Sequence, residues 1–161
     1  MNDQPRWVKI ERKFEAPIET VWEMWTNPDL FKQWYGPKSM GVPEAEMNVV
    51  VGGTRMICME MNAPDSTRKM WFTGVYKEVN RPSRLVYTES MCDADGVIIP
   101  PESIGMPEGY PDITEVIIDL SESGGVTTMT MVHIGIPEGS PGEGGWNQAF
   151  DKLADALVGG A

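Results

Sequence analysis

Histidine occurs once in the 161 residues, as His133, and cysteine twice, as Cys58 and Cys92. Without a CxxC or HxxxH spacing, these residues offer no metal-ligand set, and neither a metal nor another cofactor is expected. Two thiols in a chain this long make no disulfide framework and fit a reducing, cytoplasmic setting. No G-x-S-x-G elbow is present, which removes the commonest signature of a serine hydrolase. Gly142-Glu143-Gly144-Gly145 precedes a helical pattern but lacks the lysine of a phosphate-binding loop, and Glu143 would repel phosphate. No apolar run approaches the roughly 18 residues of a membrane span, and the first residues, Met-Asn-Asp-Gln-Pro-Arg-Trp, hold no signal-peptide stretch. Cations are also scarce: 13 Lys and Arg face 24 Asp and Glu, a net charge of −11. That balance argues against nucleic acid and acidic membrane surfaces as partners. What is present is an ordinary hydrophobic fraction of 41%, with 12 Met and 6 Trp, in a length that suits one domain over residues 1–161.

The hydrophobic pattern changes period along the chain. Residues 6–14 alternate, with Val8, Ile10, Arg12 and Phe14 on one parity, which predicts a strand at a sheet edge where charge is tolerated. Pro17 suits a first helical position, and Ile18, Val21, Trp22 and Trp25 form one apolar stripe after it. Asn27-Pro28 ends that helix and caps a second, whose buried face is Leu30, Phe31 and Trp34. From residue 42 the period is two, predicting strands at 42–51, 54–62, 69–79, 84–92, 113–121 and 126–134. Gly52-Gly53, Asn80-Arg81-Pro82-Ser83 and Ser123-Gly124-Gly125 supply short connections, so the sheet is an antiparallel meander. A long helix over 141–158 follows, with Trp146, Phe150, Leu153 and Leu157 facing in and Gln148, Asp151, Lys152 and Asp155 facing out. Residues 93–111 carry four prolines yet also Ile98, Ile104, Met106 and Tyr110, which want burial. They read as a packed surface loop or as a lid over a cavity.

This order of elements resembles the helix-grip layout of the START-like (SRPBCC) superfamily. Local phrases are similar to one branch, the activator of Hsp90 ATPase homologue 1-like C-terminal domain family. They are Phe14-Glu15-Ala16-Pro17 leading to Val21-Trp22, Trp34-Tyr35-Gly36-Pro37, Val51-Gly52-Gly53, the run Gly74 to Val79, the run Arg84 to Glu89, Pro100 to Pro107, and Gly145-Trp146. Together they span about residues 7–158. The resemblance implies an α+β fold: a curved antiparallel sheet of about seven strands wrapped around the last helix, with two short helices after strand one. It also implies a cavity between sheet and helix, but no fixed chemistry, because members bind apolar ligands, act on polyketides or bind proteins.

Strand parity nominates the residues that face that interior. Met129, Met131 and His133 share one face of the last strand, and Tyr87, Glu89 and Met91 share one face of the fifth. In the third strand Ile57, Met59 and Met61 take one parity and Met56 and Cys58 the other, without a decision between them. The candidate ligand-binding set is Trp25, Trp34, Met59, Met61, Tyr87, Met91, Met106, Met129, Met131, His133, Trp146 and Phe150. Methionine adapts its shape and suits an apolar pocket, though it also fills ordinary cores. Acid–base chemistry would pair His133 with Glu89 or Tyr87, though a lone histidine is more often structural than catalytic. Three functions stay open: binding of a small apolar molecule (lipid, polyketide or aromatic), a protein-interaction module of the Hsp90-activator kind, and a cyclase- or aromatase-like enzyme using His133 and Glu89. The protein would act as a monomer or homodimer.

Overall fold

Period-two alternation becomes seven strands in the computed structural model, which describes residues 7–63, 66–104 and 111–159. They are β1 (Trp7–Phe14), β2 (Met40–Met47), β3 (Thr54–Ala63), β4 (Ser66–Asn80), β5 (Arg84–Cys92), β6 (Thr114–Ser123) and β7 (Val126–Pro137). All neighbours are antiparallel in the order β1-β7-β6-β5-β4-β3-β2, a curled sheet in which the first strand closes onto the last. Two short helices, α1 (Ile18–Thr26) and α2 (Pro28–Phe31), follow β1, and the long α3 (Pro141–Gly159) ends the chain. This is an α+β helix-grip arrangement.

Local chemistry sets the boundaries. Pro17 is the N-cap of α1 rather than its first residue, with φ −64° and ψ 152°, while Pro28 occupies the first turn of α2 and the Asn27 side chain accepts from the Asp29 N–H. β2 begins two residues earlier and ends four residues earlier than its pattern predicts. It stops at Met47, because the Val50 and Gly53 N–H groups bond within the turn, and Gly52 takes φ +84°. Val50 and Val51 are thereby left exposed. Within β4, Gly74 admits a close strand approach: a Cβ there would lie 1.8 Å from the Thr88 carbonyl oxygen.

Trp146, Phe150 and Leu153 of α3 are buried in one core cluster with Val8, Ile10, Val116, Ile118, Met129 and Met131 of the sheet. Each large side chain removed from water in this way contributes about 1.5–3 kcal/mol. Arg12 shares the inward parity of β1 and reaches over the edge to Asp151 of α3 at 2.9 Å. The outward placement of Lys152 needs correction. Its ammonium turns back and donates to the Tyr35, Pro37 and Met40 carbonyls at 3.2–3.3 Å, because that segment leaves three acceptors beside α3. Met106 and Tyr110 lie outside the described residues.

Candidate ligand-binding site

Between the sheet and the start of α3 lies a cavity of about 240 Å³. Met59, Phe72 and Met91 form its sheet wall, and the Tyr35–Pro37 segment forms one side. The α3 side is made of Gly142, Gly145 and Ala149 beside Trp146; a Cβ on Gly142 would meet Ile136 Cγ2 at 2.7 Å, so this glycine lets the start of the helix pack closely on the end of β7. Gly36 takes φ +89°, and a Cβ there would meet Met59 Sδ at 2.8 Å, so this turn needs glycine. Pro101 and Pro111 complete the rim.

The walls are mostly apolar, and the polar groups gather around Glu89. Tyr35 donates its hydroxyl to Glu89 Oε1 at 2.7 Å. Trp146 Nε1–H can only donate, and it points at His133 Nδ1 at 2.9 Å, so that nitrogen carries a lone pair. The proton of the neutral ring therefore sits on Nε2, which faces Thr114 Oγ1 at 2.8 Å. Thr114 in turn donates to the Glu89 backbone carbonyl at 2.9 Å. Burial lowers the His133 pKa; the Glu89 charge opposes that shift and Arg55 adds to it. Burial first, then the Glu89 charge, holds the Tyr35 hydroxyl far above its ordinary range, so it remains a donor. Glu89 Oε2 has no hydrogen-bond partner among the described residues. His133 Nε2 is 3.9 Å from it, beyond hydrogen-bond length.

Arg55 is not among the residues that line the cavity. Its guanidinium sits 3.8 Å from the Tyr87 ring centroid and 5.4 Å from that of Phe31, and its Nε donates to the Tyr76 hydroxyl at 3.4 Å. Burial works to lower its pKa, but its neighbours Tyr87, Tyr76 and Glu89 outweigh that, and the group stays cationic. Its two Nη atoms lack partners among the described residues, so ring stacking does much of the stabilisation of this charge. Burial likewise raises the Tyr87 pKa.

Of the residues nominated from sequence, Met59, Glu89, Met91, His133 and Trp146 come together on the cavity wall. Trp25, Trp34, Tyr87, Met129, Met131 and Phe150 lie in the packed core beneath it, almost wholly buried, and do not form the wall. Trp25 and Trp34 meet edge to face with centroids 4.7 Å apart, which anchors the short helices rather than a ligand. Met61 is half-buried further along β3 and Met106 falls outside the described residues. Tyr35, Arg55 and Thr114 were not nominated. Arg55 shares the parity of Ile57 and Met59, and that was the available signal. Cys58 and Cys92 pair opposite Trp71 on the outer face of the sheet, and burial pushes both thiols up. Among the described residues no group of three His, Cys, Asp or Glu is placed to hold a metal ion. No helix among them is long and apolar enough to cross a membrane.

A curled antiparallel sheet gripping a C-terminal helix, with an apolar space between them, defines a START-like domain. Residues 15–158 match the family model described as activator of Hsp90 ATPase homolog 1-like protein, and the chain belongs to that family. Among solved structures it is similar to protein CV1439 of Chromobacterium violaceum, with 26% identity, a TM-score of 0.74, and coverage of 96% of this chain and 98% of that one. It also shares the fold of an AHSA1 protein from Silicibacter pomeroyi at 17% identity, TM-score 0.72, covering 96% and 99% of the two chains. An AHSA1-like protein from Aeromonas hydrophila matches at 22% identity and TM-score 0.67, covering 95% and 94%. No curated protein matches the chain. The family fits a START-like ligand-binding module or an Hsp90-activator-like one.

Proposed function

We propose that the protein binds one small apolar molecule in the cavity between the sheet and α3. The observation that carries this reading is the cavity itself: about 240 Å³ with apolar walls and one localised polar patch. Ligand sites have this composition, a greasy enclosure with a few placed polar groups. Its size is roughly eight waters' worth and exceeds the ~150 Å³ of a cavity that takes benzene, which suits a ligand of one or two rings or a short chain. Binding fits the polar patch better than catalysis does. Both His133 nitrogens are engaged, by Trp146 and Thr114, so the ring has no free lone pair with which to take a proton.

Native mass spectrometry of protein purified from its own host tests the reading, followed by extraction of any adduct. A stoichiometric small molecule that raises the melting temperature when added back supports it, by the linkage RT ln(1 + [L]/Kd). A clean apo mass, with no thermal shift from lipids, polyketides and aromatics, would contradict it and favour a protein-interaction module.

A further inference from the structure

Two carboxylates, Glu89 and Asp112, line the cavity, and no Lys or Arg does. Their surroundings differ. Glu89 is buried, and the charge of buried Arg55 acts against its own. Asp112 is exposed at the rim beside Pro111, and none of the ion pairs among the described residues involves it. One negative charge at the mouth is therefore left unbalanced.

Donors are as scarce as cations. The polar hydrogens of Tyr35, Trp146, His133 and Thr114 are all committed to the network around Glu89. Ser90 follows inward-facing Glu89, so its side chain falls on the other face of β5. Pro37, Pro101, Pro111 and Pro141 bring no N–H to the rim. The start of α3 would attract an anion, but Glu143 in its first turn already meets that dipole with a full charge. We infer that the cavity selects its ligand by charge, taking an uncharged or cationic apolar molecule and rejecting carboxylates, with Asp112 as the specificity-determining residue. A carboxylate drawn inside would lose water without gaining a donor, and one left at the mouth would face Asp112. Free fatty acids and aromatic acids thus fall outside the ligand class. This rests on the cavity-binding reading above and adds the charge of the ligand to it.

Titration calorimetry on the full chain near neutral pH with 2-naphthol, 2-naphthylmethylammonium and 2-naphthoate tests this, since the three share one skeleton and differ in charge. In the wild type, 2-naphthoate should bind roughly tenfold or more weakly than 2-naphthol, the effect of an acceptor desolvated without a partner. The ammonium should bind more tightly than 2-naphthoate, and that gap should narrow in about 1 M salt, where the screening length is only about 3 Å. Asp112→Asn should improve 2-naphthoate about two- to fivefold, weaken the ammonium by a similar factor and leave 2-naphthol unchanged. Asp112→Lys should improve 2-naphthoate further. Both substitutions fall on an exposed side chain, so the fold should tolerate them. Glu11→Gln makes the same charge change at an exposed position of β1 and should move none of the three, which separates the mouth from the net charge of −11. Binding of 2-naphthoate as tightly as 2-naphthol overturns the charge selection and leaves the cavity reading intact. Unchanged 2-naphthoate affinity in both Asp112 variants overturns the role of Asp112. If none of the three binds, the cavity reading fails and this inference with it.

Discussion

His133 should make the protein lose stability in mild acid, and the hydrogen-bond chain says how much. The ring is neutral in the fold, because the Trp146 N–H occupies Nδ1 and a proton there would cost that bond. Burial lowers the folded pKa below the ordinary 6.5, and the opposing attraction of Glu89 does not reverse it. The unfolded chain therefore binds the proton first as pH falls. The His133 contribution is complete above about pH 6.5 and drains away below it, at up to about 1.4 kcal/mol per pH unit until the folded pKa is reached. Between about pH 7.5 and 5.5 the loss is then at most about 1.4 kcal/mol, or roughly 3–5 °C in melting temperature for a domain of this size. Since His133 is the sole histidine, no other histidine clouds the window. Urea unfolding followed by tryptophan fluorescence measures it, against His133→Gln, whose neutral amide can accept from Trp146 or donate to Thr114. The difference between the two proteins should shift against the wild type as pH falls. Parallel curves, or a wild type that gains on its variant in acid, would refute the neutral, burial-dominated histidine.

Three other perturbations probe the surrounding framework. Arg55→Met removes a buried cation that interacts with the Glu89 charge and should cost about 3 kcal/mol, toward the low end for breaking a buried pair because no ion pair or hydrogen bond joins the two. Adding Glu89→Gln should then recover about 1 kcal/mol or more in a double-mutant cycle, and additivity within about 0.5 kcal/mol would contradict the coupling. Lys152→Met strips three carbonyls of their shared donor. It should cost about 1–2 kcal/mol and speed amide exchange over residues 36–40, and unchanged exchange would remove Lys152 from its tying role. Gly74→Ala drives a methyl into the Thr88 carbonyl and should cost about 3 kcal/mol or more by thermal unfolding, where a near-neutral result would mean the strands can part without penalty.

The elements and their order were legible because period-two and helical patterns report which face of each strand or helix is buried. Parity placed Glu89, Met91 and His133 on the inner face, as the structure has them. Parity says nothing of depth along that face, however. Met129 and Met131 sit under the body of α3, while Met59 and Met91 sit beside its first turn, where the cavity opens. The α3 side of the cavity is made by Gly142, Gly145 and Ala149, and a small residue on a helix carries no sign of the side chains, here Ile136 and Pro37, that pack against it. Arg55 escaped for the opposite reason. A cation on an inward parity contradicts the hydrophobic rule, and only the three-dimensional convergence of Phe31, Tyr76 and Tyr87 rings makes the position tolerable. Lys152 likewise answers acceptors in the 35–40 segment, more than a hundred residues away in sequence.

Twelve methionines provide the most direct test of where a ligand sits. Methyl NMR on methionine-labelled protein, titrated with 2-naphthol, reads them all at once. The account predicts saturable shifts at Met59 and Met91 on the cavity wall, with small responses at buried Met129 and Met131 and at Met56 on the outer face. Shifts concentrated at Met56, or no saturable shift up to the solubility limit of the probe, would contradict the cavity as the binding site.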